Sequence, residues 1–217
     1  MLTASPEELL ATSPELVVEA AGKGSVEPWG RAALAAGVDT MFLSISAFTE
    51  PGLLDEFVAL ADETGARIHL PSGAIGGIDA LVAARFMGID AVEHRIVKPP
   101  LGWRGSLAET LCDLDSLTEP TVFFTGNSID AASQFPKNAN VTMTTALAGI
   151  GPERTKISLI ADPAADANRH EITASGAFGQ LQITLANAPL PENPKSSAMT
   201  ALSLARAIAN LRNTVII

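Results

Sequence analysis

Lys156-Ile157-Ser158-Leu159-Ile160-Ala161-Asp162-Pro163-Ala164-Ala165-Asp166-Ala167-Asn168-Arg169-His170 is the stretch whose reading decides the fold. Its first six residues are a short apolar run of strand type. Pro163 follows Asp162 directly; it removes a backbone donor and biases the chain to extended or turn geometry, so the strand stops there. Apolar alternation resumes at Ile172, which restarts a strand. His170 then lies where a loop re-enters a sheet, a frequent position for catalytic groups. Its imidazole is the side chain whose ordinary proton equilibrium lies nearest neutral pH, so His170 is the candidate for proton transfer.

Outward from this stretch, the second half of the chain reads as long strands with alternating patterning at 91–98, 121–125, 155–161, 170–175 and 178–186. Gly176-Ala177 suits a hairpin between the last two. Helices are expected at 129–134 and 138–148, and a closing helix at 195–213 carries Leu202, Ala205, Ile208, Ala209 and Leu211 on one face. The first half reads differently. Short apolar strands at 16–21, 38–46 and 67–70 alternate with helices at 27–36, 51–64 and 78–87, and a small capped helix at 5–10 precedes them. Strand–helix alternation implies a parallel sheet with its ligand beyond the carboxyl ends of the strands. The expected fold class is therefore α/β: a Rossmann-like parallel sheet lacking its first βαβ unit, followed by an α+β catalytic and oligomerisation domain. The boundary is expected near residue 90, giving 1–90 and 91–217, with the closing helix a candidate to pack back on the first portion.

A dinucleotide-binding sheet normally opens with a strand, a GxGxxG turn and a helix. Gly73-Ala74-Ile75-Gly76-Gly77 lies between a strand and a helix, but its spacing is wrong for that loop. The sequence reads as entering the fold part-way through.

Composition narrows the function. The chain has 217 residues, 47% hydrophobic and 18% charged, a globular balance. No apolar run approaches the roughly 18 residues of a membrane helix, and the N-terminus has no secretory pattern. The net charge of -10 argues against a nucleic-acid partner. One cysteine permits no internal disulfide and fits a reducing cytoplasm.

Five stretches in order, LVVEAAG (16–22), PSGAIGG (71–77), FPKNANV (135–141), IADPAADANRH (160–170) and PLPENPKSS (189–197), closely resemble the L-aspartate dehydrogenase family. The resemblance covers nearly the whole chain. It implies a cytoplasmic, homo-oligomeric oxidoreductase that uses NAD or NADP to convert L-aspartate to iminoaspartate, or runs the reverse amination of oxaloacetate with ammonia, feeding NAD biosynthesis. It carries the catalytic role onto His170 and cofactor contacts onto Ala74 and Asn140. Family members begin with the strand and glycine loop that are missing here, so the sequence reads as an N-terminally truncated member. Its LVVEAA strand then has an open edge, which invites pairing with another chain. The rival reading is a non-catalytic carboxylate-binding or oligomerisation module that has lost the cofactor loop.

The remaining candidates divide by chemistry. Lys98, Lys137, Lys195 and Arg169 are candidates for the substrate carboxylates, as point charges or as a fork. Lys195 with Ser196 and Ser197 is preferred, at the expected N-terminus of the closing helix. Asn138 and Asn140 open a helical run, where asparagine commonly caps; a primary amide also suits a nicotinamide carboxamide or a ribose. Ser72, Gly73 and Ala74 are small enough to admit a flat ring. Asp162, Asp166 and His170 recur every four residues, a metal-binding spacing on a helix, but Pro163 opposes that helix; no metal is expected, and the aspartates read as turn and cap acceptors. His69 and His94 read as structural histidines, and Cys112 as a passive thiol.

Overall fold

The computed structural model describes residues 2–216, apart from the side chains of residues 193–195. The chain divides into two compact units, Met1–Pro71 and Ser72–Ile217. The division falls earlier than the expected residue 90, and packing explains why. The helix that follows Pro71 buries Leu81 and Ala84 against Ile89, Val92, Ala148 and Ala174 of the second unit.

The first unit begins with α1 (Pro6–Leu10), capped by the Ser5 hydroxyl, which accepts from the Glu8 N–H. Then follow β1 (Leu16–Glu19), α2 (Lys23–Ala35), β2 (Asp39–Phe42), α3 (Leu53–Thr64) and β3 (Ile68–His69). The three strands pair in parallel in the order β1-β2-β3. The sheet is the α/β element the alternation predicts, with two differences at its edges. α2 starts four residues before Glu27, with Pro28 inside it. β2 ends at Phe42 rather than Ser46, and a 3-10 turn takes Ile45–Thr49. The Glu19 carboxylate causes that early ending. It accepts from the backbone N–H groups of Ala21, Gly22 and Ser44 at 2.8, 2.8 and 3.0 Å, which turns the chain away from the sheet. Burial works against its charge, but the hydrogen bonds from Ser25, Gly22 and Ser44 together outweigh it and lower the carboxyl pKa.

The second unit opens with α4 (Ile78–Ala84) and β4 (Ile89–Lys98). After a 3-10 turn at Pro100–Trp103 come α5 (Ala108–Leu111), β5 (Thr121–Asn127), α6 (Ser128–Gln134) and α7 (Ala139–Ala148). β6 (Lys156–Ala161), β7 (Asn168–Gly176) and β8 (Gly179–Asn187) follow. The last elements are β9 (Pro189–Leu190), β10 (Asn193–Ser197) and α8 (Ala198–Asn210). Five strands form one sheet in the order β5-β6-β4-β7-β8. Only β4 and β6 run parallel, and the other pairs are antiparallel. The quoted stretch is therefore β6, a loop and β7, as its reading requires. β7 and β8 form the expected hairpin, with Gly176 opposite Gly179. The closing helix is shorter than expected. Residues 193–197 form a strand, and Ser197 caps α8 by accepting from the Met199 N–H.

Register decides what faces inward. On β4, Val92, His94 and Ile96 are buried on one face; on β7, His170, Ile172 and Ala174 are. Ile96 lies opposite His170, and His94 opposite Ile172. The two histidines are thus diagonal neighbours on the same face, a separation that ring side chains can bridge.

Candidate active site

His170, Ala74, Lys98, Lys137, Asn138 and Asn187 are among the residues lining one cavity of about 320 Å³ in the second unit. They arrive from separate stretches of the chain. β7 supplies His170, β4 ends at Lys98, the turn before α7 supplies Lys137 and Asn138, and β8 ends at Asn187. Ser196 and Ser197 also line it. The quoted stretch contributes Asp166, Ala167 and Asn168 from the loop before β7.

His170 is 6% exposed. Burial first, and the nearby Lys98 charge second, lower its pKa to about 4, so the ring is neutral at pH 7. Its Nδ1 lies 3.0 Å from Nε2 of His94. Lys98 is half-buried, and burial followed by the Lys137 charge brings its pKa to about 8. Its ammonium donates to Asn138 Oδ1 at 2.7 Å and lies 4.7 Å from the centroid of the Trp103 ring. Among the described residues no carboxylate lies within ion-pair distance of Lys98. A half-buried cation without a counter-ion favours an anionic ligand.

Asn187 adds the opposite polarity. Its amide N–H donates to the Ala74 carbonyl at 2.8 Å. Its Oδ1 is buried without a hydrogen-bond partner among the described residues, so it is an acceptor suited to a ligand N–H. Together, the cavity offers cations, a neutral base and, at Asn187, an unpartnered acceptor.

Asn140, Arg169, Asp162, His69 and Cys112 are not among the residues lining this cavity. Asn140 is exposed on α7, and its neighbours Asn138 and Val141 line the cavity instead. Arg169 is engaged by carboxylates: its guanidinium pairs with Glu171 at 2.7 Å and Asp162 at 3.6 Å. Strand alternation explains this, because Arg169 and His170 must project to opposite faces. The Lys195 side chain lies outside the described residues. Asp162 closes a turn by accepting from the Ala164 N–H at 2.9 Å, and the residues between it and His170 form no helix. His69 lies 3.4 Å from Asp39 in the first unit. The Cys112 pKa is raised by burial and by Asp113, and its thiol contacts the Ala108 carbonyl.

Sequence reasoning named Lys98 only as one of four carboxylate candidates and read His94 as structural. The signal for both was present in the alternation of β4, where positions 92, 94, 96 and 98 share a face. Two polar residues on an otherwise apolar inward row mark a site.

Comparison with known proteins follows the same division. Residues 79–211 match the family model described as aspartate dehydrogenase, C-terminal, and residues 1–71 match the homoserine dehydrogenase NAD-binding domain. L-aspartate dehydrogenase of Brucella anthropi is 51% identical over 217 residues, which are 100% of this chain and 81% of the relative. The chain belongs to the aspartate dehydrogenase family. L-aspartate dehydrogenase of Ralstonia pickettii is 46% identical over 93% of this chain and 75% of its own. The crystal structure of aspartate dehydrogenase from Thermotoga maritima superposes with a TM-score of 0.78 at 30% identity, covering 94% of this chain and 78% of that one. No helix among the described residues is long and apolar enough to cross a membrane.

Proposed function

We propose that this chain, as an aspartate dehydrogenase, oxidises L-aspartate to iminoaspartate with NAD or NADP, and runs the reverse amination of oxaloacetate. The observation that carries the reading is the neutral His170 imidazole and the half-buried, uncompensated Lys98 in one cavity. Oxidation requires a base to take a proton from the substrate amine as the Cα–H bond gives up a hydride. A neutral imidazole supplies that base. Lys98, with Lys137 beside it, supports binding of the two substrate carboxylates, and the hydroxyls of Ser196 and Ser197 lie in the same lining.

When bound, a nicotinamide cofactor supplies the hydride acceptor. Residues of this chain fit one. Asn187 Oδ1 is a partnerless buried acceptor that matches the N–H of a carboxamide, and the Ala74 carbonyl is fixed in place by the same side chain. Asn140, which the family motifs mark as a cofactor contact, is exposed near the start of α7. The protein's part is to hold both reactants in order and to move the proton at His170 Nε2.

α8 leaves Leu202 and Ile208 exposed, as is Leu211 just after it, which supports a homo-oligomer; light scattering on the purified chain measures that. The single cysteine supports a reducing, cytoplasmic location.

The test is reduction of NAD and NADP in the presence of L-aspartate. His170→Ala should lower kcat by about 10²- to 10⁴-fold, the usual contribution of a positioned acid–base group, while calorimetric binding of the dinucleotide persists. An unaltered kcat in that variant would remove His170 from the mechanism. No aspartate-dependent reduction by the unaltered chain with either dinucleotide would overturn the activity itself.

A further inference from the structure

His94 is fully buried on β4, and Thr145 is fully buried on α7. His94 Nδ1 lies 2.8 Å from Thr145 Oγ1, and His94 Nε2 lies 3.0 Å from His170 Nδ1. Thr145 Oγ1 also lies 3.1 Å from the Val141 carbonyl oxygen one turn earlier. The result is a continuous line from a helix carbonyl to the imidazole that lines the cavity. Burial, and then His170, keep His94 neutral, so each ring carries one N–H and the line has two possible proton orders.

Counting hydrogen bonds decides between them. In one order the Thr145 hydroxyl donates to the Val141 carbonyl, His94 Nδ1–H donates to Thr145 Oγ1, and His170 Nδ1–H donates to His94 Nε2. That makes three hydrogen bonds and uses every short contact. In the reverse order Thr145 donates to His94 Nδ1, and His94 Nε2–H donates to His170 Nδ1. That makes two, and leaves two oxygens 3.1 Å apart with no proton between them. In a buried place the fully satisfied order wins.

We propose that Thr145 and His94 are positioning residues that set the tautomer of His170, placing its proton on Nδ1 and its lone pair on Nε2, the nitrogen left for the cavity. An imidazole set this way is ready to accept a proton. After it has done so, its Nδ1–H still has His94 Nε2 as acceptor. The consequence for turnover rests on the role proposed above for His170; the tautomer itself does not.

The experiment is nitrogen NMR of the uniformly ¹⁵N-histidine-labelled chain. The chain has three histidines in all, so single substitutions assign every ring. In the unaltered protein His170 should show a protonated Nδ1 and an unprotonated Nε2. Thr145→Val keeps the shape and removes the acceptor for His94 Nδ1–H. It should move His170 toward the Nε2–H form and lower kcat on the order of 10-fold with KM little changed, a partial loss of acid–base catalysis. Thr145→Ser keeps the hydroxyl and should keep both the tautomer and kcat. His94→Gln, whose amide can accept from His170 and donate to Thr145, should retain most of kcat; His94→Leu should not. An Nε2–H tautomer in the unaltered protein overturns the proposal, as does Thr145→Val with an unchanged tautomer. If the tautomers behave as stated but no variant turns over aspartate, the relay stands and the proposed activity fails.

Discussion

At the scale of single residues, Lys98 does two things whose effects on pH separate. Its charge offers a site for a substrate carboxylate, and the same charge disfavours protonation of His170. The charged and titratable groups around the His170 ring are His94 beside it and Lys98, Lys137 and Asp166 in the cavity lining. Lys98→Met keeps the buried stem and removes the cation. The His170 pKa should then rise from about 4 toward the ordinary histidine value of about 6.5. The acid limb of kcat/KM moves to higher pH, because the base is lost to protonation sooner. KM for aspartate should rise on the order of 10-fold or more, the usual worth of a charge-assisted hydrogen bond. An acid limb that stays put or moves lower would show that Lys98 does not act on His170. His170 was legible in the sequence because a strand, a proline and a re-entering strand leave it at a rim. Lys98 was named there only as one of four carboxylate candidates, and His94 read as structural. Their meaning depends on which β4 face meets α7, and that pairing is set by packing between segments remote in sequence.

Among the elements, the sheets and their helices were legible because alternation and turn residues specify them locally, whereas their ends were not. Glu19 terminates β2 through hydrogen bonds to Ser44, 25 residues away, and no window of local sequence reveals that. The same limit holds for residues 193–197, which form β10 by pairing with β9 instead of extending α8. Helix α2 shows how packing overrides propensity at one position. A Cβ added at Gly30 would lie 2.6 Å from Phe57 Cε2 and 2.7 Å from Phe42 Cε1. These rings stack at 5.5 Å and are both fully buried, so neither can give way. Gly30→Ala should destabilise by about 1–3 kcal/mol, the range for overpacking, despite the helix propensity gained. Gly24→Ala in the same helix has open space around the added methyl and should stabilise by about 0.5–1 kcal/mol. Urea midpoints of the two variants, read by tryptophan fluorescence, give the comparison. Equal shifts of the same sign would mean that propensity, not ring packing, governs both sites.

For the whole molecule, two buried neutral histidines make stability depend on pH before any carboxylate titrates. In the unfolded chain a histidine protonates at about pH 6.5. In the folded chain His170 resists protonation down to about 4, and His94 resists it well below the ordinary value. Between those limits the unfolded state binds more protons, so stability falls as pH falls. The histidine contribution is complete above about pH 6.5 and is lost progressively toward about pH 4. Lys98 acts in a separate window. Its folded pKa is about 8 against an ordinary 10.5, so the cost of burying its charge is relieved as pH rises through that interval. The net charge of -10 pushes the other way on the acid side, since proton uptake reduces repulsion within the compact chain. The His94→Gln variant separates the two effects, because it removes one buried imidazole and leaves the formal charge at neutral pH unchanged. Urea midpoints should decline between roughly pH 6.5 and 5 for the unaltered protein, and decline less for His94→Gln. That window lies above the ordinary carboxylate range, so the difference in slope reports the histidine itself. Equal slopes would mean that His94 takes up its proton as readily in the folded chain as in the unfolded one, and the buried line from Thr145 to His170 would then have to be open to water.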